Sequence, residues 1–275
     1  MCFKEILELW NIILYEAQNE LKKEPILSSL YKESILKHTT FSSSLSYILS
    51  AKLSTSLISE KNIQNIFNKI YFNNIFIVHL AVKDLKAIFK RDPVVNNYLT
   101  PFLYFKGFHA LASYRISHYL WNKKQYALST YLQSRIATVF SVDIHPAACI
   151  GSRIILDHAT GIVVGAGVII EDDVSILHSV TLGGTGKNSS KNRHPVIRNK
   201  VSIGAGAKIL GNIEIGSQTK IGAGSVVLKN MPPCVTVAGI PAKIVKQLNN
   251  SHSLFQEDQN NFLDCFEPFQ YGDGI

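Results

Sequence analysis

The chain has 275 residues, 46% of them hydrophobic and 17% charged, with a formal net charge of +8. That balance fits a globular protein with a real core, in one large domain or two smaller ones. No apolar run approaches the ~20 residues a membrane-spanning helix requires, so no membrane partner is expected. The start, "MCFKEILELW", carries Glu5 and Glu8 inside its apolar pattern, so it reads as an amphipathic helix and not as a secretory signal. Cys2, Cys149, Cys234 and Cys265 are scattered, with no CxxC pair. Neither a disulfide framework nor a zinc site is expected, and no bound metal; a reducing cytoplasmic setting is the natural reading. The positive charge is spread among Asn and Ile without aromatic interleaving, so no nucleic-acid partner is expected. A phosphorylated small molecule would equally use local lysines.

Residues 1–140 hold few glycines and long periodic stretches. "KEILELWNIILYEAQNELKK" sets Ile6, Leu9, Ile13 and Leu14 at helical spacing. Pro25 is expected to open a second helix through "PILSSLYKESILKH", and "SLSYILSAKLS" and "NIFIVHLAVKDLKAIFK" continue the series. Asp92 before Pro93, and Thr100 before Pro101, each read as an N-cap followed by proline at the first helical position. An all-α domain over 1–140 is expected.

The pattern then changes. An aliphatic residue sits at every sixth position: Ile144, Ile150, Leu156, Ile162, Val168, Val174 and Val180. The count stops at "TLGGTGKNSSKNRHP" and resumes in a new phase at Ile197, Ile203, Ile209, Ile215, Ile221 and Val227. Small residues such as Ala148, Ala207, Thr219 and Ser225 recur two places earlier, and glycine often follows. Each hexad is a short strand plus a bend. Three hexads close a triangular coil, and coils stack at the interstrand spacing of ~4.8 Å. The expected unit is a parallel β-helix over 141–248, with the aliphatic residues pointing inward. The polar, glycine-rich "GGTGKNSSKNRH" cannot supply core positions and should leave the coil as an exposed loop. "GGTGK" is no phosphate loop, since Thr181 stands where its first glycine belongs and no helix pattern follows. After Ile244 the hexads end, and 249–275 reads as a flexible tail closing on "YGDGI".

Nine histidines are present. His38, His79, His109 and His118 lie on helical patterns and His252 in the tail, which leaves His145, His158, His178 and His194 as candidate bases.

"VDIHPAACIG", "LDHATGIVVG", "VSILHSVTLGGTGK", "RHPVIR", "VSIGAGAKILGNIEIG", "KIGAGSVVLKNMPP" and "VAGIPAKIV" closely resemble the bacterial serine O-acetyltransferases. "LSYILSAKLS", "RDPVV", "TPFLYFKGFHALASYRISHYLWN" and "YGDGI" extend the resemblance over essentially the whole chain. It implies an α+β fold: an N-terminal all-α domain, a left-handed parallel β-helix with an extruded loop, and a flexible C-terminal tail. It also implies acetyl transfer from acetyl-CoA, a co-substrate and not a permanent cofactor, to the hydroxyl of L-serine. His158 matches the general base and Asp143 the residue that orients it, in the manner of a triad. The two lie near one coil apart. His178 is the rival base, but relatives carry Gln there, which implies a surface role. Asp92 and Asp157 match ligands for the serine ammonium, Arg193 its carboxylate ligand, and His194 a neighbour of the reacting centre. Gly184, Ala205 and Ala223 match small positions along the pantetheine arm, and Lys220 and Lys243 are candidates for the CoA phosphates. The family further implies a homohexamer, a dimer of trimers with sites between adjacent β-helices. It implies capture of the C-terminal Ile275 by O-acetylserine sulfhydrylase, and L-cysteine as a feedback inhibitor.

Two departures stand out: Cys149 where Lys is common, and "VGAGVIIEDD" for a more polar stretch. The loop before Arg193 is also one residue longer than the usual form. Two rival functions are a hexapeptide acyltransferase for a sugar or antibiotic hydroxyl, and a non-catalytic scaffold for the sulfhydrylase. Asp92 disfavours the first, since a sugar site needs no ammonium ligand. Intact His158, Asp143 and Arg193 disfavour the second.

Overall fold

A computed structural model describes residues 2–186 and 193–247. Among them the helices are α1 (Cys2–Lys23), α2 (Ser28–Tyr31), α3 (Phe41–Leu53), α4 (Glu60–Asn73), α5 (Ile75–Arg91), α6 (Leu99–Tyr104), α7 (Lys106–Asn122) and α8 (Tyr126–Phe140). The α1 stripe of Leu9, Trp10, Ile13 and Ala17 is buried, as the periodicity requires. Trp10 meets Phe41 edge-on at 6.4 Å and Phe102 at 6.2 Å, which ties α1 to α3 and α6. Thr40 and Ser59 cap α3 and α4 by accepting from the backbone N–H of Ser43 and Asn62.

All three proline expectations need correcting. Pro25 opens only a 3₁₀ turn (Pro25–Leu27), followed by the four-residue α2 and a π-helical turn (Lys32–Leu36). Asp92 ends α5 instead of starting a helix: its N–H donates to the Ile88 carbonyl at 2.9 Å, and Pro93 lies in a turn. α6 starts at Leu99, ahead of Pro101, because the Asn97 side chain accepts from Thr100 N–H at 2.7 Å and Glu16 accepts from Tyr98 and Leu99 N–H.

A left-handed Ser141 (φ 57°) breaks α8 and turns the chain into the β-helix. Three parallel sheets stack around one axis. The first runs β1 (Val142–Ile144), β4 (Ile162–Val164), β7 (Thr181–Gly183), β10 (Lys208–Leu210) and β13 (Val226–Val227). The second joins β2 (Cys149–Ile150), β5 (Ile169–Ile170), β8 (Val196–Ile197) and β11 (Glu214–Ile215). The third joins β3 (Ile155–Leu156), β6 (Ser175–Ile176), β9 (Ser202–Ile203), β12 (Lys220–Ile221) and β14 (Val235–Gly239), and ends in antiparallel β15 (Ala242–Gln247). Every hexad residue of the two series is buried except Ile150, which is half-buried.

The register shows what the even spacing hid. Coils pair eighteen residues apart at Val163↔Thr181 and Ile197↔Ile215, but twenty apart at Val142↔Ile162, Ile150↔Ile170 and Leu156↔Ile176. Two surplus residues therefore sit in the corner between β3 and β4. Beyond that corner the stacked spine is Val164, Ile170, Ile176 and Leu182. Ile162, Val168, Val174 and Val180 occupy the buried position two places earlier, where other hexads carry Ala148 or Ala207. The extruded loop is larger than the hexad count implied, since Ile170↔Ile197 pairs twenty-seven residues apart.

A buried ion pair fastens the helices to the coil. Arg115 donates through Nε and Nη2 to Asp84 Oδ2 at 3.0 and 2.6 Å, and through Nη1 and Nη2 to the Ile150 and Gly151 carbonyls. Asp84 Oδ1 accepts from Ile154 N–H at 2.9 Å. Burial pushes the Asp84 carboxyl up, while Arg115 and the N–H groups at its oxygens oppose that rise.

Candidate active site

His158 stands on the surplus corner, Asp157–Gly161. His158 and Ala159 both take left-handed backbone angles (φ 52° and 58°), which pushes the imidazole outward. Its side chain is 64% exposed, and Nε2 lies 4.0 Å from Asp157 Oδ1. The helical domain props this corner. Lys106, at the start of α7, donates from Nζ to Thr160 Oγ1. Gly107 packs so tightly on the Leu156 carbonyl that a Cβ there would overlap its oxygen.

The same edge of the solenoid, between the third and first sheets, carries His178, Ala205 and Ala223 on successive coils. Backbone bonds climb it: Ser179 N–H to Thr160 O at 2.7 Å, Gly206 N–H to His178 O at 2.9 Å, Gly224 N–H to Ala205 O at 2.8 Å. His178 is half-buried. Its ring meets that of His158 edge-on, 6.0 Å between centroids, and its buried Nδ1 has no hydrogen-bond partner among the described residues. Lys208, which nothing in the sequence singled out, donates from Nζ to the Ser179 and Gly206 carbonyls at 2.9 and 2.7 Å on this edge. The edge is thus a strip with two imidazoles at one end and small side chains beyond, a shape that accepts a thin extended ligand.

Asp143 projects outward from β1 between inward Val142 and Ile144. It pairs in register with Val163, just past the corner, and Ser141 O accepts from Gly161 N–H at 2.7 Å. Its Oδ1 accepts from Gln133 Nε2 on α8 at 2.7 Å. Asp92 follows the α5 terminus, which Arg91 fixes to the third sheet through Asp173 O at 2.8 Å and Ser175 Oγ at 3.1 Å. The Asp92 carboxylate accepts from Val94 N–H at 3.0 Å.

Arg193, His194 and Gly184 belong to a different edge, between the first and second sheets. The Gly184 backbone packs on the stem of exposed Arg193. His194 is buried against the corner after β4. A Cβ on Gly165 would lie 2.5 Å from its ring and one on Gly167 2.9 Å, so only glycine lets the ring lie flat there. Desolvation, then Arg193 and His145, hold the His194 pKa below the usual imidazole range, and its Nδ1 has no hydrogen-bond partner among the described residues. Strand β4, roughly 10 Å of extended backbone, separates this edge from that of His158. One chain therefore does not bring the predicted base and the predicted carboxylate ligand together. Lys220 lies on β12 and Lys243 on the β14–β15 hairpin. Ile275 lies outside the described residues.

The N-terminal serine acetyltransferase model matches residues 9–113, and the six-repeat bacterial transferase hexapeptide model matches 194–229. A serine acetyltransferase of Buchnera aphidicola subsp. Schizaphis graminum is 70% identical over 260 residues, 94% of this chain and 100% of that protein. A solved serine acetyltransferase in complex with cysteine superposes with a TM-score of 0.85 at 51% identity, covering 88% of this chain and 93% of that one. One in complex with CoA gives 0.84 at 50% identity, covering 87% and 100%. With helical domain, three-sided coil and histidine-bearing corner all in place, the chain belongs to the serine acetyltransferase family.

Proposed function

We propose that His158 is the general base of serine O-acetylation, in a site completed by a second copy of this chain. The L-serine hydroxyl oxygen attacks the thioester carbon of acetyl-CoA as His158 takes its proton. The tetrahedral intermediate expels the CoA sulfur, which recovers that proton from the imidazolium. O-acetyl-L-serine and CoA leave. Asp143 fixes the ring and offsets its positive charge in the transition state. The observation that carries this reading is the edge itself: an outward imidazole on the surplus corner, followed coil by coil toward Ala205 and Ala223. Those small residues accept the pantetheine arm, and Lys220 and Lys243 take the phosphates.

Asp92 and Asp157 hold the serine ammonium. Arg193 and His194 of a neighbouring chain close the site on the carboxylate side, with Gly184 against the arm; their separation from His158 within one chain supports this. β-Helices then associate as trimers. Exposed Phe3, Leu7, Phe72 and Phe76 give the helical domain apolar surface for pairing two trimers into a hexamer. L-cysteine, which a related structure binds, competes for the serine ligands. Ile275 docks a sulfhydrylase. Among the described residues no helix is long and apolar enough to cross a membrane, and the free thiols of Cys149 and Cys234 suit the cytoplasm.

The test is CoA release from acetyl-CoA with L-serine, a galactoside, chloramphenicol or no acceptor. Serine-dependent release should fall ~10²–10⁴-fold in His158→Ala. Mixing His158→Ala chains with Arg193→Ala chains should restore part of it, because mixed trimers contain an intact interface. Undiminished turnover by His158→Ala, or no complementation on mixing, would overturn the respective assignment.

A further inference from the structure

From its second turn onward α8 faces two ways. Leu132, Ile136 and Phe140 are buried in the core, and Gln133 sits half-buried on the shoulder beside them. Its amide donates to Asp143 Oδ1 at 2.7 Å, ten residues along. An ionised carboxylate only accepts, so the amide nitrogen must be the group facing it. Ser141, between the two, receives the Gly161 N–H at 2.7 Å. One short segment thus holds both the corner under His158 and the carboxylate of Asp143.

We propose that Gln133 is a positioning residue of the acetyl-transfer site, acting through Asp143. The proposal rests on the reading of Asp143 as the residue that orients His158. With one oxygen held by the amide, the carboxylate cannot turn about its Cβ–Cγ bond, and the other oxygen keeps a fixed heading. An uncharged donor suits this task. A lysine there would form its own ion pair and draw the carboxylate's charge away from the imidazolium. Other charged and titratable groups around the segment are His145, whose pKa burial lowers and Asp143 opposes, Lys106 on Thr160, and Asp157 beside His158. Asp143 and Gln133 also line an open groove with Thr130, Ser134, Ala137 and Thr138. Water can therefore reach the carboxylate if the amide is removed. The loss should fall on orientation and not on stability.

The experiment is a double-substitution cycle on the full-length enzyme. Gln133→Met keeps the side-chain length and removes the donor. It should lower kcat about tenfold, the order carried by a hydrogen bond to a charged group. KM for serine and for acetyl-CoA should stay within about twofold, and the urea midpoint unchanged. Gln133→Ala should give the same split. In an Asp143→Asn background, adding Gln133→Met should cost nothing more. If Asp143→Asn loses kcat while Gln133→Met keeps it, or if the two losses multiply, Gln133 does not act through Asp143 and the proposal falls alone. If Asp143→Asn itself keeps kcat, the orienting reading of Asp143 fails and takes the proposal with it.

Discussion

Replacing Arg115 by Met removes the cation from the joint between helices and coil while keeping most of its apolar stem. Asp84 is then left 1% exposed, with Ile154 N–H still on Oδ1 but no cation bonded to it, Arg91 acting only through space, and the Ile150 and Gly151 carbonyls lose their donor. Breaking a buried pair from one side costs about 3–5 kcal/mol. An independent bound comes from protonation. The stranded carboxyl escapes its charge by taking a proton, and moving a carboxyl of ordinary pKa near 4 to its neutral form at pH 7 costs about 4 kcal/mol. The two figures agree, and they give a sign. In the variant the folded state holds a proton that the unfolded state lacks above about pH 4. Arg115 is the largest force opposing the rise of the Asp84 carboxyl, so without it the variant's carboxyl keeps its proton to higher pH than the parent's, and the deficit relative to the parent should shrink as pH is lowered from 7. Urea unfolding at fixed protein concentration measures this. A second variant, Arg115→Met with Asp84→Leu, removes both charges and should recover most of the loss. A single-variant cost below 1 kcal/mol, a deficit independent of pH, or a double variant no better than the single would refute the reasoning.

Gly107→Ala should destabilise by roughly 1–3 kcal/mol through overlap with the Leu156 carbonyl, against the helix-propensity gain alanine normally brings; a rise in urea midpoint would show that the contact is slack. Burial lowers the His109 pKa to about 4. The fold holds this ring neutral while the unfolded chain protonates it near pH 6.5, so its contribution is complete above that pH and lost as pH falls toward 4. About 2 kcal/mol should disappear between pH 7.5 and 5, and His109→Gln should lack that component in the same titration of urea midpoints. His178→Gln should cut serine-dependent CoA release by less than about tenfold, against ~10²–10⁴ for His158→Ala; the reverse ranking would make His178 the base.

The hexads made the three-sided coil legible because burial selects aliphatic residues at fixed intervals. The same selection concealed the slip at Asp157–Gly161. Two positions of each hexad can face inward, and Ile162, Val168, Val174 and Val180 fill the second with residues as large as the first, so the count runs on across a break in register. Pro25 and Pro93 misled for a related reason. Proline is compatible with a first helical turn but equally with a 3₁₀ turn or a stop, and tertiary partners such as Glu16 decide where α6 begins. Of the site, the His158 strip was readable through the motif. The separation of Arg193 and His194 was not, because it depends on which corner the loop returns to. Gln133, Lys106 and Lys208 carry no sequence signal, since each matters only through one contact across the fold.

A closed eighteen-residue turn has no slack, so any extra chain must go outward. At His158 that surplus is two residues long. Removing His158 and Ala159 together should let the bend relax into the ordinary pitch of its neighbours and leave an inert, better-ordered solenoid. Inserting the same five-residue bend at the level of Ala223 would raise a second knuckle on an otherwise smooth spine. In this architecture reactivity is a local excess of length, and it can be added or deleted without recutting the rest.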